Sequence, residues 1–450
     1  MNGVSDYIVA IDLGSTKIVG SLGKKEGDGK IRILSMEQTP VKTEVSRGVI
    51  HNIEEVSKSV LDLVQLLSDN EESTCKIDQV YVGLNGYTIR TEDVSSTTYL
   101  SGDELLNESH LDELSDDAQT QISENLDVMD IFTQEFLVDG KSDLNPVGSM
   151  PQRVEGHYKI VGGKSAILKN LETCFERIDL HYDTILGPVA SAEAILRPED
   201  KSKGSVAIDF GAETTSICIY KGNLVRYVAV LPFGGSNITK DLSQLNIDEE
   251  EAETIKLNKG TAIHYSEQIS EDSQENVPEK MSDFDKSIND IMVARVEEIV
   301  ENIWAQIRYS GIDPLKLTEG IVLTGGASQM PGLTELLNKK TDMPVRIGDS
   351  GQSLVPESVD LYREPGYSLV IGLLLLGKEG CCSIPKAVPA EARKSEIPQE
   401  QTLGGGFDSI ETDEPLHEKP KKPEKIKKPE KPKKNLFGNM IKNLFDDEDL

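Results

Sequence analysis

Short apolar runs, each closed by Asp-x-Gly or Gly-Gly, punctuate the chain: YIVAIDLG at 7–14, SVAIDFG at 205–211 and GIVLTGG at 320–326. Runs this short and bounded by glycine predict buried strands. The first two turn back into a second apolar run, so a β-hairpin is predicted over 7–23 and another over 205–222. A longer period appears in Ile288, Ile291, Met292, Val296, Ile299, Val300, Ile303 and Ile307, the stripe of a helix packed on a core. SLVIGLLLLG at 368–377 is apolar on every side, but it has about half the ~20 residues a membrane span needs, so it predicts a buried core helix. Periodicity stops near Ile384, where Pro, Glu, Lys and Gly take over and predict a linker through 434. It returns in Leu436, Phe437, Met440, Ile441, Leu444 and Phe445, one apolar stripe on an amphipathic helix of about three turns over 435–450.

Composition sharpens this outline. A chain of 450 residues exceeds what one core usually fills, so at least two lobes are expected. A formal net charge of -31 argues against non-specific nucleic-acid binding by the body. The five cysteines have no metal-ligand spacing and read as reduced thiols, and the adjacent Cys381 and Cys382 could bridge only with strain. The opening MNGVSDYIVAIDLG lacks a basic run and does not read as a signal peptide.

Basic charge is concentrated ahead of the last apolar stripe, with nine lysines between 419 and 434. A three-turn helix is marginal alone in water and needs a surface: its own body, a partner or a lipid bilayer. Six large side chains plus a polybasic run are the two signals that reversible membrane anchoring commonly takes. A linker of this length spans about 40 Å, which supplies reach. Asp446, Asp447, Glu448 and Asp449 oppose the anchor, because a helix C-terminus and anionic headgroups both disfavour negative charge.

The two hairpins also suggest chemistry. Val-Ala-Ile-Asp-x-Gly matches in register, Asp12 with Asp209 and Gly14 with Gly211. The turns Ser15, Thr16, Lys17 and Ala212, Glu213, Thr214, Thr215 present backbone N–H groups and hydroxyls of the kind that replace water around phosphate oxygens. One such turn is an ordinary tight turn; two in register suggest facing lobes with a polyphosphate between them. Asp12 and Asp209 could then hold a hydrated Mg²⁺, which binds through one or two carboxylates plus phosphate. The third cluster, with Gly325 and Gly326 before a helix near Pro331 to Leu333, fits either a base or ribose lying on the turn or a purely steric strand-to-helix connection.

Three such elements in this order resemble the actin, sugar kinase and heat-shock chaperone superfamily, an α/β fold of two lobes clasping ATP. Within it the chain resembles the FtsA family of bacterial cell-division proteins, on VYVGLNGYTI at 80–89, FLVDGKSDLNPVG at 136–148, LPFGGSNITKDL at 231–242, AETIKLNKGTA at 252–262, PVRIG at 344–348 and GYSLVIGLLLLG at 366–377. The resemblance implies a first lobe of residues 1–85 and 164–200, with an inserted family-specific subdomain at 86–163. It implies a second lobe at 201–384 whose smaller subdomain, 237–310, carries the side that docks the tubulin-like protein FtsZ. It also implies ATP with Mg²⁺, a first phosphate loop of Asp12, Gly14, Ser15, Thr16 and Lys17, and a second of Asp209, Gly211, Ala212, Glu213, Thr214 and Thr215. Gly234 and Gly235 would pass near the phosphates, Glu253 and Lys256 would meet ribose and adenine, and Gly325, Gly326, Ala327 and Met330 would form the adenosine loop. Lys256 as a solvated helix lysine and Met330 as plain core stay open.

The resemblance further implies head-to-tail filaments through the insert, recruitment of later division proteins, and a peripheral place on the cytoplasmic face of the membrane at the division site. The acidic run at 101–145 is either a solvated helix face or part of that protomer contact. Two departures stand out. The superfamily's connecting helix often begins Glu-Pro, whose carboxylate or amide orients the attacking water; GPVASAEAIL places Gly187 there, so at most slow hydrolysis is implied. Glu193, more than a turn further on, reads as structural. The family's Met-Ser-Gly is replaced by Ser149, Met150 and Pro151. The alternatives are a sugar-kinase-like phosphotransferase, for which no catalytic base is evident, and a pilus-assembly ATPase of the same fold.

Overall fold

The computed structural model describes residues 7–69, 76–101, 103–264 and 282–383. The linker, the lysine run and the stripe from Leu436 to Phe445 lie outside these residues, as does Cys75. Among the described residues no helix is long and apolar enough to cross a membrane.

Strands form where the apolar runs predict them. The first sheet contains β1 (Tyr7–Leu13), β2 (Lys17–Lys25), β3 (Ile31–Pro40), β4 (Gln79–Leu84) and β9 (His181–Leu186), in the order β9-β4-β1-β2-β3. β1, β4 and β9 are parallel, and β1, β2 and β3 form an antiparallel meander. β1 is buried almost continuously because helices α1 (Ile53–Ser68) and α8 (Ser368–Leu376) pack on this sheet, so its alternation is lost to a run of Ile and Val.

The second lobe repeats the arrangement. β10 (Ser205–Phe210), β11 (Thr215–Lys221) and β12 (Leu224–Leu231) form the meander, and β13 (Ile321–Thr324) and β14 (Val345–Ile347) run parallel beside β10. The internal repeat is therefore one of topology as well as of motif. Its sheet continues into the insert: β5 (Arg90–Tyr99), β6 (Asp127–Val138), β7 (Lys141–Asp143) and β8 (Arg153–Gly163) complete nine strands in the order β7-β6-β8-β5-β12-β11-β10-β13-β14. The join is narrow: one residue pair, Ala229 with Arg90, the Val230 amide donating to the Ile89 carbonyl at 3.0 Å, Thr91 Oγ1, which donates to the Val228 carbonyl at 2.9 Å and accepts from the Val228 amide at 2.7 Å, and Gln134 Nε2, which donates to the Val225 carbonyl at 3.1 Å.

Among the described residues the buried apolar side chains form three clusters: one centred on the first lobe and reaching Ala207, Cys218 and Val228 of the second, one within the second lobe, and a small one in the insert around Leu106, Leu114, Phe136, Val154, Tyr158 and Ile160. In the insert's acidic helix, α2 (Glu108–Gln119), only Leu114 and Ala118 are buried, so its carboxylates face solvent. The stripe beginning at Ile288 forms α6 (Asp283–Tyr309), with Ile291 partly buried and the other seven striped residues fully so. The helix expected near Pro331 to Leu333 is α7 (Leu333–Thr341), and SLVIGLLLL is α8, buried as its composition requires.

Candidate functional site

Each hairpin closes on a tight turn at the carboxyl end of its first strand. The Gly211 amide donates to the Thr214 carbonyl at 2.9 Å, and a Cβ on Gly14 would lie 2.6 Å from the Lys17 carbonyl oxygen, so both turns fold back on themselves at glycine. The two turns face one cavity of 690 Å³. Of the residues predicted from sequence, Asp12, Gly14, Ser15, Thr16, Lys17, Asp209, Gly211, Ala212, Glu213, Thr214, Gly235, Glu253, Lys256, Gly325, Gly326, Ala327 and Met330 line it.

Thr215 and Gly234 do not. Thr215 is the first residue of β11 and strand alternation turns it inward, where its hydroxyl donates to the Phe233 carbonyl at 2.8 Å. Gly234 lies behind the second turn; a Cβ there would sit 2.4 Å from the Ala212 carbonyl oxygen. The helix after it, α4 (Gly235–Leu242), is stapled to that turn, with Gly235 N–H donating to the Gly211 carbonyl at 3.0 Å and Ser236 N–H to the Ala212 carbonyl at 2.7 Å. These amides position the turn and are not free for a ligand.

The electrostatics centre on Asp12 and Asp209. Burial, reinforced by the Asp209 charge and opposed by Lys17, raises the Asp12 pKa to about 7. Burial also raises that of Asp209, against the Ser191 hydroxyl, which donates to its Oδ2 at 2.6 Å. The Lys17 pKa is lowered by burial despite the nearby Asp12 and Glu364 carboxylates, and its ammonium stands 4.2 Å from the Tyr367 ring centroid. Two buried carboxylates with too little positive charge between them suit a divalent cation. Because they are only two, they suit one that keeps most of its water, as Mg²⁺ does.

At the other end the lining is apolar: Leu257, Ala327, Met330 and Pro331. Beside them, on α5 (Glu249–Lys259), Lys256 Nζ donates to Glu253 Oε2 at 2.6 Å, to Thr239 Oγ1 at 3.0 Å and to the Gly235 carbonyl at 3.2 Å. The Lys256 side chain is 11% exposed, so it is no solvated surface lysine. Met330 both packs on the second core and lines the cavity, so both readings of it hold.

The Glu213 side chain is engaged across the cleft. Its carboxylate accepts from Ser46 Oγ at 2.8 Å and the Arg47 amide at 2.9 Å in the first lobe, and from Lys240 Nζ at 3.3 Å on α4. Burial would raise its pKa, but these donors hold it below the usual value of 4.5. It is a clasp across the mouth of the cleft. A carboxylate with a depressed folded pKa contributes its stability above the unfolded value and loses it as pH falls through the folded one. Glu213→Ala is therefore expected to cost about 1–3 kcal/mol in urea unfolding at pH 7. The difference from wild type should shrink below pH 4.5; a pH-independent difference would show that the clasp is not electrostatic.

Sequence reasoning missed Asn85, Gly48 and the Glu364–Pro365–Gly366 segment, all of which line the cavity. The Pro365 carbonyl accepts from the Gly325 amide at 3.2 Å and Thr324 Oγ1 at 3.1 Å, which fixes the third glycine cluster. Only the Pro-Gly pair before an apolar helix signalled a turn there. Glu193 is paired with Lys201 at 2.6 Å and does not line the cavity, consistent with a structural role.

Two lobes built on one repeated sheet topology, with paired Asp-x-Gly turns facing a common cleft, define an actin-like protein. A solved PilM-PilN type IV pilus biogenesis complex shares this fold, with a TM-score of 0.57 at 14% identity over 82% of this chain and 97% of that one. The family model of the cell division protein FtsA matches residues 206–372. The FtsA of Neisseria meningitidis serogroup B is 30% identical over 413 residues, covering 89% of this chain and 96% of the relative. That of Escherichia coli K12 is 26% identical over 391 residues, covering 83% and 90%. The chain belongs to the FtsA family of cell division proteins.

Proposed function

We propose that this chain is an ATP-binding, actin-like adaptor that polymerises head to tail, tethers FtsZ filaments to the cytoplasmic face of the membrane at the division septum and recruits later division proteins. The observation that carries the nucleotide reading is the 690 Å³ cleft, of ligand-site size, with paired turns and two buried carboxylates at one end and an apolar surface at the other. Asp12 and Asp209 are the residues that would hold Mg²⁺, which when bound neutralises phosphate charge. Ser15, Thr16, Ala212 and Thr214 would meet the phosphates, and Leu257, Ala327, Met330 and Pro331 the base. The side-chain-free Gly187 and the engaged Glu193 favour at most slow hydrolysis over a sugar-kinase-like phosphotransferase. The pilus-assembly alternative shares the fold, which does not choose between them.

Self-assembly is supported by exposed apolar residues on the insert: Tyr99 is 76% exposed, Leu144 74% and Met150 59%. Membrane attachment is supported by the six-residue apolar stripe and the lysines before it. One experiment tests the adaptor reading: sedimentation of FtsZ filaments with anionic liposomes, in the presence of full-length chain or of a form ending at Lys434. Full-length chain is expected to bring FtsZ down, and the truncated form to leave both in the supernatant. Equal sedimentation by the two would overturn the anchor, and binding of liposomes without FtsZ would overturn the adaptor.

A further inference from the structure

The carboxyl ends of the parallel strands β9 and β4 are in register, Leu186 beside Leu84, so the next residue of each, Gly187 and Asn85, emerge side by side, Gly187 buried and Asn85 lining the cleft. β1, with Asp12, lies on the other side of β4. The Asn85 amide fills the space where a residue with a side chain would stand at 187: a Cβ on Gly187 would lie 2.0 Å from Asn85 Oδ1, 2.7 Å from its Cγ and 2.8 Å from its Nδ2. Asn85 is half-buried and lines the cavity, and no described residue offers its amide a hydrogen bond. A packed asparagine ordinarily satisfies its amide within the protein, so one left open toward a polar cleft is placed for a ligand.

Position decides which part of the ligand. The apolar surface that would take a base, Leu257, Ala327, Met330 and Pro331, belongs wholly to the second lobe, whereas Asn85 stands on the first lobe one strand from Asp12. We propose that Asn85 reads the terminal phosphate of a nucleoside triphosphate, donating from Nδ2 to an oxygen that a diphosphate lacks, and that Gly187 is without a side chain to make room for it. This rests on the nucleotide reading above and assigns residue 85 the choice between triphosphate and diphosphate. An uncharged donor suits the place, since it binds phosphate without further disturbing the charge balance of Asp12 and Lys17.

The test is isothermal titration of the full-length chain with ATP and with ADP, each with Mg²⁺, in wild type, Asn85→Ala, Asn85→Ser and Gly187→Ala. Loss of one hydrogen bond to a charged oxygen should weaken ATP roughly tenfold in Asn85→Ala and leave ADP unchanged within roughly twofold. Gly187→Ala should do the same by displacing the amide, and Asn85→Ser, which keeps a short donor, should lose less. Unchanged ADP affinity also reports that the cleft is folded. Equal weakening of ATP and ADP, or of neither, overturns the assignment of Asn85 alone. Absence of binding of either nucleotide to wild type overturns the nucleotide reading itself.

Discussion

Gly326→Asp is expected to weaken ATP binding at least a hundredfold while leaving the urea midpoint of the free chain unchanged. A Cβ at Gly326 meets nothing within 4 Å, so a side chain is accommodated without moving the backbone. It would project into the lined cleft, where solvent screens its carboxylate in the free chain and bound phosphate would meet it as a like charge. At an effective dielectric constant of ~20, like charges about 4–6 Å apart cost roughly 3–4 kcal/mol, which is where the hundredfold comes from. Its neighbour is the control. Gly325 has φ +87°, and a Cβ there would stand 2.3 Å from Asp209 Oδ1 and 2.5 Å from the Phe210 carbonyl oxygen. Gly325→Ala should therefore lose both ATP affinity and stability, whereas Gly326→Asp loses affinity alone. Calorimetric titration with urea unfolding of each variant separates the two, and wild-type affinity in Gly326→Asp would place the nucleotide elsewhere.

The difference between these glycines shows what a sequence can carry. The hairpins, the core helix α8 and the striped helix α6 were legible because their information is local: apolar period, turn glycine and length. The common cleft was legible because the same local motif occurs twice. Glu253 and Lys256 were reached only through the family resemblance of AETIKLNKGTA, not through a pattern of their own. Glu213 was not, because its partners Ser46 and Arg47 lie more than 160 residues away and no periodicity relates them. Asn85 escaped for the same reason, since its role depends on a glycine 102 residues further along that leaves a space empty. The continuation of the second sheet into the insert rests on one paired residue and a few bonds from Ile89, Thr91 and Gln134 to β12, too irregular a pairing to leave a pattern in β5 or β12.

Gly372→Ala is the second large effect, and its sign is the informative part. Gly372 lies inside α8, where alanine ordinarily stabilises a helix by about 1 kcal/mol. Here a Cβ would stand 1.8 Å from the Ala190 carbonyl oxygen and 2.4 Å from its carbon, on helix α3 (Gly187–Ile195). Those are backbone atoms, which cannot rotate aside, so the two helices must part. Overpacking of this kind costs about 1–3 kcal/mol and more where the obstacle is rigid, enough to reverse the propensity gain. A net loss of about 2 kcal/mol is expected in urea unfolding for Gly372→Ala, and more for Gly372→Val. The same displacement carries α3 with it, and α3 holds both Gly187 and Ser191, whose hydroxyl restrains Asp209. ATP affinity should therefore fall together with stability, although Gly372 itself does not line the cleft. A stabilised Gly372→Ala would mean that α8 and α3 are free to separate, and that the floor of the cleft is not set by their contact.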